Sequence, residues 1–346
     1  MKKGREISFC ALAFLAGDFF GGWLTLPPML YLALSLLSAA ALLRCRRMML
    51  FAAAFLLLGA ASVQVSRMPP VRGETLWESR CATLKSRASE RLGELVGEGD
   101  ELAVLRAISI GDRGDLTREL KADYRRSGAM HLLALSGLHV GIIYKMLCWM
   151  LFFLGGGLII RRLRSILVLL ALWGFAAVSG LSPSIARATL MITIYEISSF
   201  FRSGRDGINS LSIAALLICL VDPEAPRSIG FQLSFCACLS LFTLFPFLRG
   251  LLKAKTAALR YVWDSVCVAV SCQAATAPLS YLYFGTFPRY FLITNLLAVP
   301  VAAAVLYLLA ASLLLSPLPW LSGKASFLLG EALSLLNKTI ATVAGL

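Results

Sequence analysis

The sequence predicts an all-α polytopic integral membrane protein of about 10–11 transmembrane helices with one short extracytoplasmic helical segment. Three observations carry that prediction. Only 15% of the 346 residues are charged while 58% are hydrophobic, which leaves too little ionic surface to cover a water-facing globule of this size. Uncharged stretches of 19 to 34 residues recur along the chain, and about 20 residues at 1.5 Å rise suffice to cross a bilayer core. The basic residues cluster in short loops between those stretches. A soluble two-domain enzyme is excluded.

The elements follow in order. The first span, near 7–22, comes after Met1-Lys2-Lys3-Gly4-Arg5. It is expected to be a retained helix rather than a cleaved leader, because the next apolar run starts almost at once at Leu24. Further spans are predicted near 26–43 and 48–65, completing an N-terminal membrane region over 1–65. Residues 66–128 then form the one substantial polar segment. Within it, Leu84, Ala88, Leu92 and Leu95 recur among mixed charges at the spacing of an amphipathic helix lying on the bundle or at the interface. Leu102 to Ile110 suits a second short helix, stopped at Gly111. From 129 to 346 the chain is predicted as a multi-spanning domain, with helices near 130–158, 164–180, 185–201, 208–221, 228–248, 262–282, 290–315 and 325–343.

Charge supplies the orientation. The net charge is +14, yet Arg67 to Arg126 holds 12 basic and 11 acidic residues, so the excess belongs to the membrane loops. Lys2, Lys3 and Arg5, then Arg44, Arg46 and Arg47, then Arg161, Arg162 and Arg164, then Arg202 and Arg205, then Arg249, Lys253, Lys255 and Arg260 fall on one side if each helix crosses once. By the positive-inside rule that side is the cytoplasm, which places the N-terminus there and the 66–128 segment outside. The nine cysteines, mostly in apolar runs and without CxxC spacing, suit buried small hydrophobes better than a metal or redox site. No cofactor or metal is expected.

Chemistry concentrates in Gly111-Asp112-Arg113-Gly114-Asp115, then Tyr124-Arg125-Arg126-Ser127-Gly128, then His131-Leu132-Leu133-Ala134-Leu135-Ser136-Gly137-Leu138-His139-Val140-Gly141. Both histidines of the chain sit here. On a regular helix an offset of eight leaves them about 12 Å apart on different azimuths, unless the Ser136-Gly137 step breaks the helix. Ser136 and His139, three apart, are within hydrogen-bonding reach. That pair is compatible with a nucleophile and base, with Asp112 or Asp123 as orienter, with polar packing of a broken helix, or with the lining of a conduit. Arg187, near the start of a span beside Ser182-Pro183-Ser184, is suited to phosphate contact or to pairing with Asp222 or Glu196. Gln232 and Asn295 are further polar groups that an apolar span would otherwise avoid, and Tyr124, Phe231, Phe235, Tyr281, Tyr283 and Phe284 are candidate stacking aromatics.

These motifs resemble the ComEC family of competence proteins, specifically its multi-spanning membrane domain. HLLALSGLHVG at 131–141 is very close to the family's hallmark. Gly111-Asp112-Arg113 resembles its upstream element, and Ser182-Pro183-Ser184 with Arg187 its next run. Arg205-Asp206 with Asn209, Asp222-Pro223, the GFQLSF run at 230–235, Ala277-Pro278-Leu279, Phe284-Gly285 and Asn295 continue in the family's order over about 100–310.

The resemblance implies an inner-membrane channel that imports single-stranded DNA during natural transformation, with no covalent step. It implies a separate DNA receptor, a separate cytoplasmic DNA translocase, since no GxxxxGK[ST] loop is present, and a separate nuclease, since two histidines cannot build an HxHxDH cluster. The OB-like and metallo-β-lactamase-like domains of many family members have no counterpart in the sequence. Residues expected at the channel or on DNA are Arg113, Arg125, Arg126, His131, Ser136, His139, Arg187, Gln232 and Asn295. The alternatives are a transporter of another solute or lipid on the same bundle, a non-conducting scaffold in the bilayer, and, more remotely, an intramembrane hydrolase.

Overall fold

Apolar runs bounded by glycine, proline and charge become helices, and a computed structural model of the chain describes residues 11–17, 59, 76–200, 206–252, 255–285 and 288–346. Residues 11–17 are helical. The predicted spans at 26–43 and 48–65, and most of 7–22, lie outside the described residues. The elements in order are α1 (Leu76–Val96), α2 (Asp100–Ile110), α3 (Arg118–Arg126), α4 (Met130–Leu133), α5 (Gly137–Met150), α6 (Leu158–Val178), α7 (Pro183–Ser198), α8 (Gly207–Val221), α9 (Ile229–Gly250), α10 (Ala257–Phe284), α11 (Phe291–Leu314) and α12 (Pro319–Ala344). Single 3-10 turns stand at Phe152–Leu154 and Ala225–Arg227. Among the described residues there is no strand, and the protein is an all-α, multi-pass membrane protein.

Five segments among the described residues are long and apolar enough to cross a membrane: Gly137–Leu154, α9, α10, α11 and α12. The remaining apolar helices are shorter or charged. At 1.5 Å per residue, the 16 residues of α7 and the 15 of α8 reach only about 22–24 Å against a hydrocarbon core of about 30 Å. Helix α6 opens on Arg161, Arg162 and Arg164. Pro246, Pro278 and Pro300 lie inside α9, α10 and α11, as membrane helices tolerate.

The chain divides into two compact units, residues 1–73 with 190–242 and residues 74–189 with 243–346. In the first, Phe14, Ala215, Cys219, Ala225 and Phe231 form a small core. Phe231 stacks on Phe235 with ring centroids 4.1 Å apart, so the Phe231 face expected to meet a base is taken by a neighbour. Asp206 caps α8 by accepting from the backbone N–H of Ile208 and Asn209.

The second unit is built around α11 and α12, the most extensively packed helix pair, with α1, α2, α3 and α5 applied to them. Helix α2 is central to its core. Leu102, Ala103, Val104, Leu105, Ala107, Ile108 and Ile110 are buried and join a cluster with Ala298, Ala302 and Val305 of α11 and Leu329, Leu333, Leu336 and Ile340 of α12. Gly111 ends α2 in the left-handed conformation (φ 71°), where a side chain costs about 1–2 kcal/mol. In α1, Leu92 is buried and Ala88 and Leu95 pack on the core, while Leu84 is exposed. The amphipathic face therefore engages only over the second half of that helix. Helix α3 has Thr117 as N-cap, Glu119 in its first turn and Arg125 and Arg126 in its last, the charge order that favours the helix dipole.

Candidate functional site

The predicted single helix at 130–158 is broken. Helix α4 stops after Leu133, Ala134 and Ser136 take extended backbone, and α5 restarts at Gly137. Each end of the break leaves unsatisfied backbone groups, and polar side chains from the neighbouring motifs meet them. On the restarting side, Ser136 is the N-cap and His139 occupies the third helical position, where a capping box usually has Glu or Gln. His139 Nδ1 accepts the Ser136 backbone N–H at 3.3 Å, and Ser136 Oγ lies 3.0 Å from the same nitrogen. On the stopping side, Arg113 Nε donates to the Leu133 carbonyl at 3.0 Å, setting a cation at the negative end of α4.

The loop holding Arg113 is itself fastened. Arg106 pairs with Asp115 at 2.5 Å, and the Asp112 carboxylate accepts from Gly114 N–H at 3.1 Å. A Cβ built on Gly111 would stand 2.6 Å from Leu135 Cδ1 inside the break, so glycine permits the close approach. The Gly111-Asp112-Arg113 element and the 131–141 element thus interlock: one supplies the loop and cation that the other's interrupted backbone requires.

On the opposite flank, Thr294 Oγ1 of α11 donates to the Ser127 carbonyl at 2.6 Å, and Gly128, at φ 79°, leaves room for Pro288, whose Cβ a side chain would approach to 2.7 Å. Tyr124 is fully buried and donates its hydroxyl to Asn337 Oδ1 of α12 at 3.0 Å. Burial pushes its phenol above the ordinary tyrosine range. Its ring, expected as one of the candidate stacking aromatics, is packed in the core and offers no open face to a base. Tyr281, Tyr283 and Phe284 are exposed.

The structure brings several of the expected site residues together. His131 is exposed, with Nδ1 3.1 Å from the Gly128 carbonyl, and Asn295 of α11 has a buried Oδ1 without a hydrogen-bond partner among the described residues. His139 is buried. Arg113, Arg125 and Arg126 are exposed. Arg187 is buried at 8% exposure on α7, and its neighbour Ala188 packs against Gly137 at the head of α5, with 3.5 Å to a Cβ built there. Gln232 belongs to the other unit, where its Nε2 donates to the Pro226 carbonyl at 3.0 Å and ties α9 to the preceding turn. The Ser136–His139 contact is explained by local capping geometry. Among the described residues no group of three or more His, Cys, Asp or Glu could hold a metal ion.

Residues that sequence reasoning passed over include Thr294, Asn337 and Leu135, whose roles depend on partners remote in the chain. Leu181 is another, a non-glycine residue at φ 51° just before the Ser182-Pro183 start of α7.

Comparison with known proteins supplies the family. A sequence model of the competence protein family matches residues 108–346. ComE operon protein 3 of Bacillus subtilis (strain 168) is 30% identical over 201 residues, covering 58% of this chain and 25% of that protein. The chain therefore spans about a quarter of the length of the curated relative it matches. No solved structure matches. The match begins within α2 and takes in both the Gly111-Asp112-Arg113 element and the 131–141 element.

Proposed function

The chain belongs to the competence protein family, and from that membership we propose that it acts in DNA uptake, as the inner-membrane channel that passes single-stranded DNA into the cytoplasm. The supporting observation is the interrupted helix at Ala134–Ser136, whose ends are held by the same motifs that mark the family. A polyanion needs a wet route through hydrocarbon, and broken helices with polar ends are how α-helical transporters provide one. Arg113, Arg125 and Arg126 give the extracytoplasmic face an exposed cationic border for phosphate, with the exposed His131 beside them as a polar group. Ser136, His139, Arg187 and Asn295 supply polarity deeper in the same unit, and Gln232 in the other.

No covalent step is assigned to these residues. The receptor, translocase and nuclease are separate proteins in this proposal, and the N-terminus is cytoplasmic. The orientation follows from the positive-inside rule, with Arg161, Arg162 and Arg164 near the start of α6 and Arg260 near the start of α10 taken as cytoplasmic.

The test is an uptake assay with labelled duplex DNA in a strain lacking the gene and complemented with the chain. Surface-bound DNA that fails to reach the cytoplasm in the deletion, and reaches it on complementation, is the expected result. Unchanged import in Arg187→Ala and His139→Ala variants that insert normally would remove those residues from the route. Import of a small solute or lipid in place of DNA would replace the substrate.

A further inference from the structure

Two turns of the second unit meet at Gly128. Its backbone, at φ 79°, lies so close to the α10–α11 turn that a Cβ there would stand 2.7 Å from Pro288 Cβ and 3.8 Å from Phe291 Cα. Thr294 Oγ1, one turn into α11, closes the same seam on the Ser127 carbonyl at 2.6 Å. The α10–α11 turn is therefore fixed against the α3–α4 turn. Arg125 and Arg126 end α3 on one side of the seam, and Arg289, next to Pro288, stands on the other; all three are exposed.

Arg289 is isolated in the sequence. From Ser265 to Gly330 the chain holds no Asp or Glu, and Arg289 and Lys324 are its only cations. Among the described residues no ion pair holds Arg125, Arg126 or Arg289. With the N-terminus in the cytoplasm this turn faces outward, where short loops are ordinarily poor in arginine, so the charge is no topology signal. Three guanidinium groups around one seam suit an anion that the chain itself does not supply.

Aromatic rings stand on the same turn. At 1.5 Å per residue the stretch from Arg260 to Ser280 already covers about 30 Å, the thickness of the hydrocarbon core. The last turn of α10 thus lies past the hydrocarbon, and it carries Tyr281 and Phe284, 65% and 58% exposed, on one face of the helix. Gly285, left-handed at φ 64°, ends the helix directly after them, and a Cβ there would meet nothing within 4 Å.

We infer that the two turns form one entry site for single-stranded DNA, in which Arg125, Arg126 and Arg289 hold phosphates and Tyr281 and Phe284 stack bases. The inference rests on the channel reading and extends it, adding the α10–α11 turn as the second wall of the entrance and single-strandedness as the property selected. A duplex offers phosphates to the arginines but keeps its bases stacked on one another, so the aromatic pair discriminates against it. A lipid headgroup would meet the cations alone.

The test is binding to the full chain in phosphatidylcholine nanodiscs, with a fluorescent oligothymidylate, an abasic strand of the same length and a duplex as probes. The oligothymidylate is expected to bind most tightly. Arg289→Gln lowers the slope of log K against log salt concentration by about 0.7, the increment for one phosphate contact on a single strand, and Arg289→Lys keeps the slope. Tyr281→Ala and Phe284→Ala each weaken the oligothymidylate about tenfold, with the slope and the abasic strand's affinity unchanged. Equal affinity for the oligothymidylate and the abasic strand overturns the inference, as does a slope indifferent to Arg289→Gln or the absence of binding by any strand. Aromatic variants that bind as the parent does, with phosphatidylglycerol in the nanodisc displacing the strand, would make the patch a headgroup contact and overturn it too. If these results fail while the complemented strain still imports DNA, the channel reading stands and the entry site alone falls; if import fails while binding behaves as expected, the channel reading falls alone.

Discussion

Ser136 and His139 show how one residue's role is decided by what its neighbours leave unsatisfied. Their spacing alone suited a nucleophile and base, polar packing of a broken helix or a conduit lining, and the extended backbone at Ser136 makes the pair the N-terminal cap of α5. Ser136→Ala is expected to destabilise the protein by about 1 kcal/mol, with Ser136→Asp retaining most of the stability, measured by unfolding in detergent. At the core, Tyr124→Phe removes the bond to Asn337 and is expected to cost about 1 kcal/mol with DNA import unchanged. Tyr124 also sets a pH dependence. Its folded phenol titrates above the ordinary value of 10.0, so the unfolded chain loses that proton first and stability falls as pH rises beyond that value. The extra alkaline loss is expected to vanish in Tyr124→Phe. Tyr124 stood in the sequence as an aromatic beside two arginines, and nothing local marked it as buried, because its partner is 213 residues away.

At the scale of elements, helices were legible and their interruption was not. The predicted spans at 208–221, 228–248, 262–282 and 290–315 coincide closely with α8, α9, α10 and α11, because uniformly apolar runs between glycine, proline and charge admit little else. The span at 130–158 is the exception. Its glycines and polar residues permitted a break, but stability of the break comes from Arg113 and from Leu135 lying over Gly111. Gly111→Ala is expected to destabilise by more than the usual helix-end glycine replacement, since left-handed strain of about 1–2 kcal/mol adds to a collision with Leu135. Gly128→Ala should behave alike through Pro288. Thermal unfolding checks both, and a Gly111→Ala, Leu135→Ala double variant is expected to recover part of the loss by relieving the collision.

For the whole molecule, the alternation of basic loops predicts a topology that fusion reporters can read. A periplasm-active phosphatase fused after Ser182 or Asp222 is expected to be active, and one fused after Arg161 or Lys255 inactive. The reverse pattern would invert the protein and with it the assignment of the 111–133 region to the outer face. The segment expected as a polar linker shows the limit of composition at this scale. Its charges are nearly balanced and many are exposed, yet α2 within it buries most of its side chains against α11 and α12.

What the sequence by itself determined was the class of protein, most of its long apolar helices over the described residues, and the family, since hydropathy, helix length and ordered motifs are local properties that survive without coordinates. What only the tertiary structure decided was which polar residues act on one another. Arg113 on the Leu133 carbonyl, Thr294 on Ser127 and Tyr124 on Asn337 are all contacts between separate elements. The physical reason is that an unsatisfied backbone group in an apolar surround is costly wherever it lies. Which side chain relieves it depends on what packing brings within hydrogen-bonding distance, and no period or spacing along the chain carries that information.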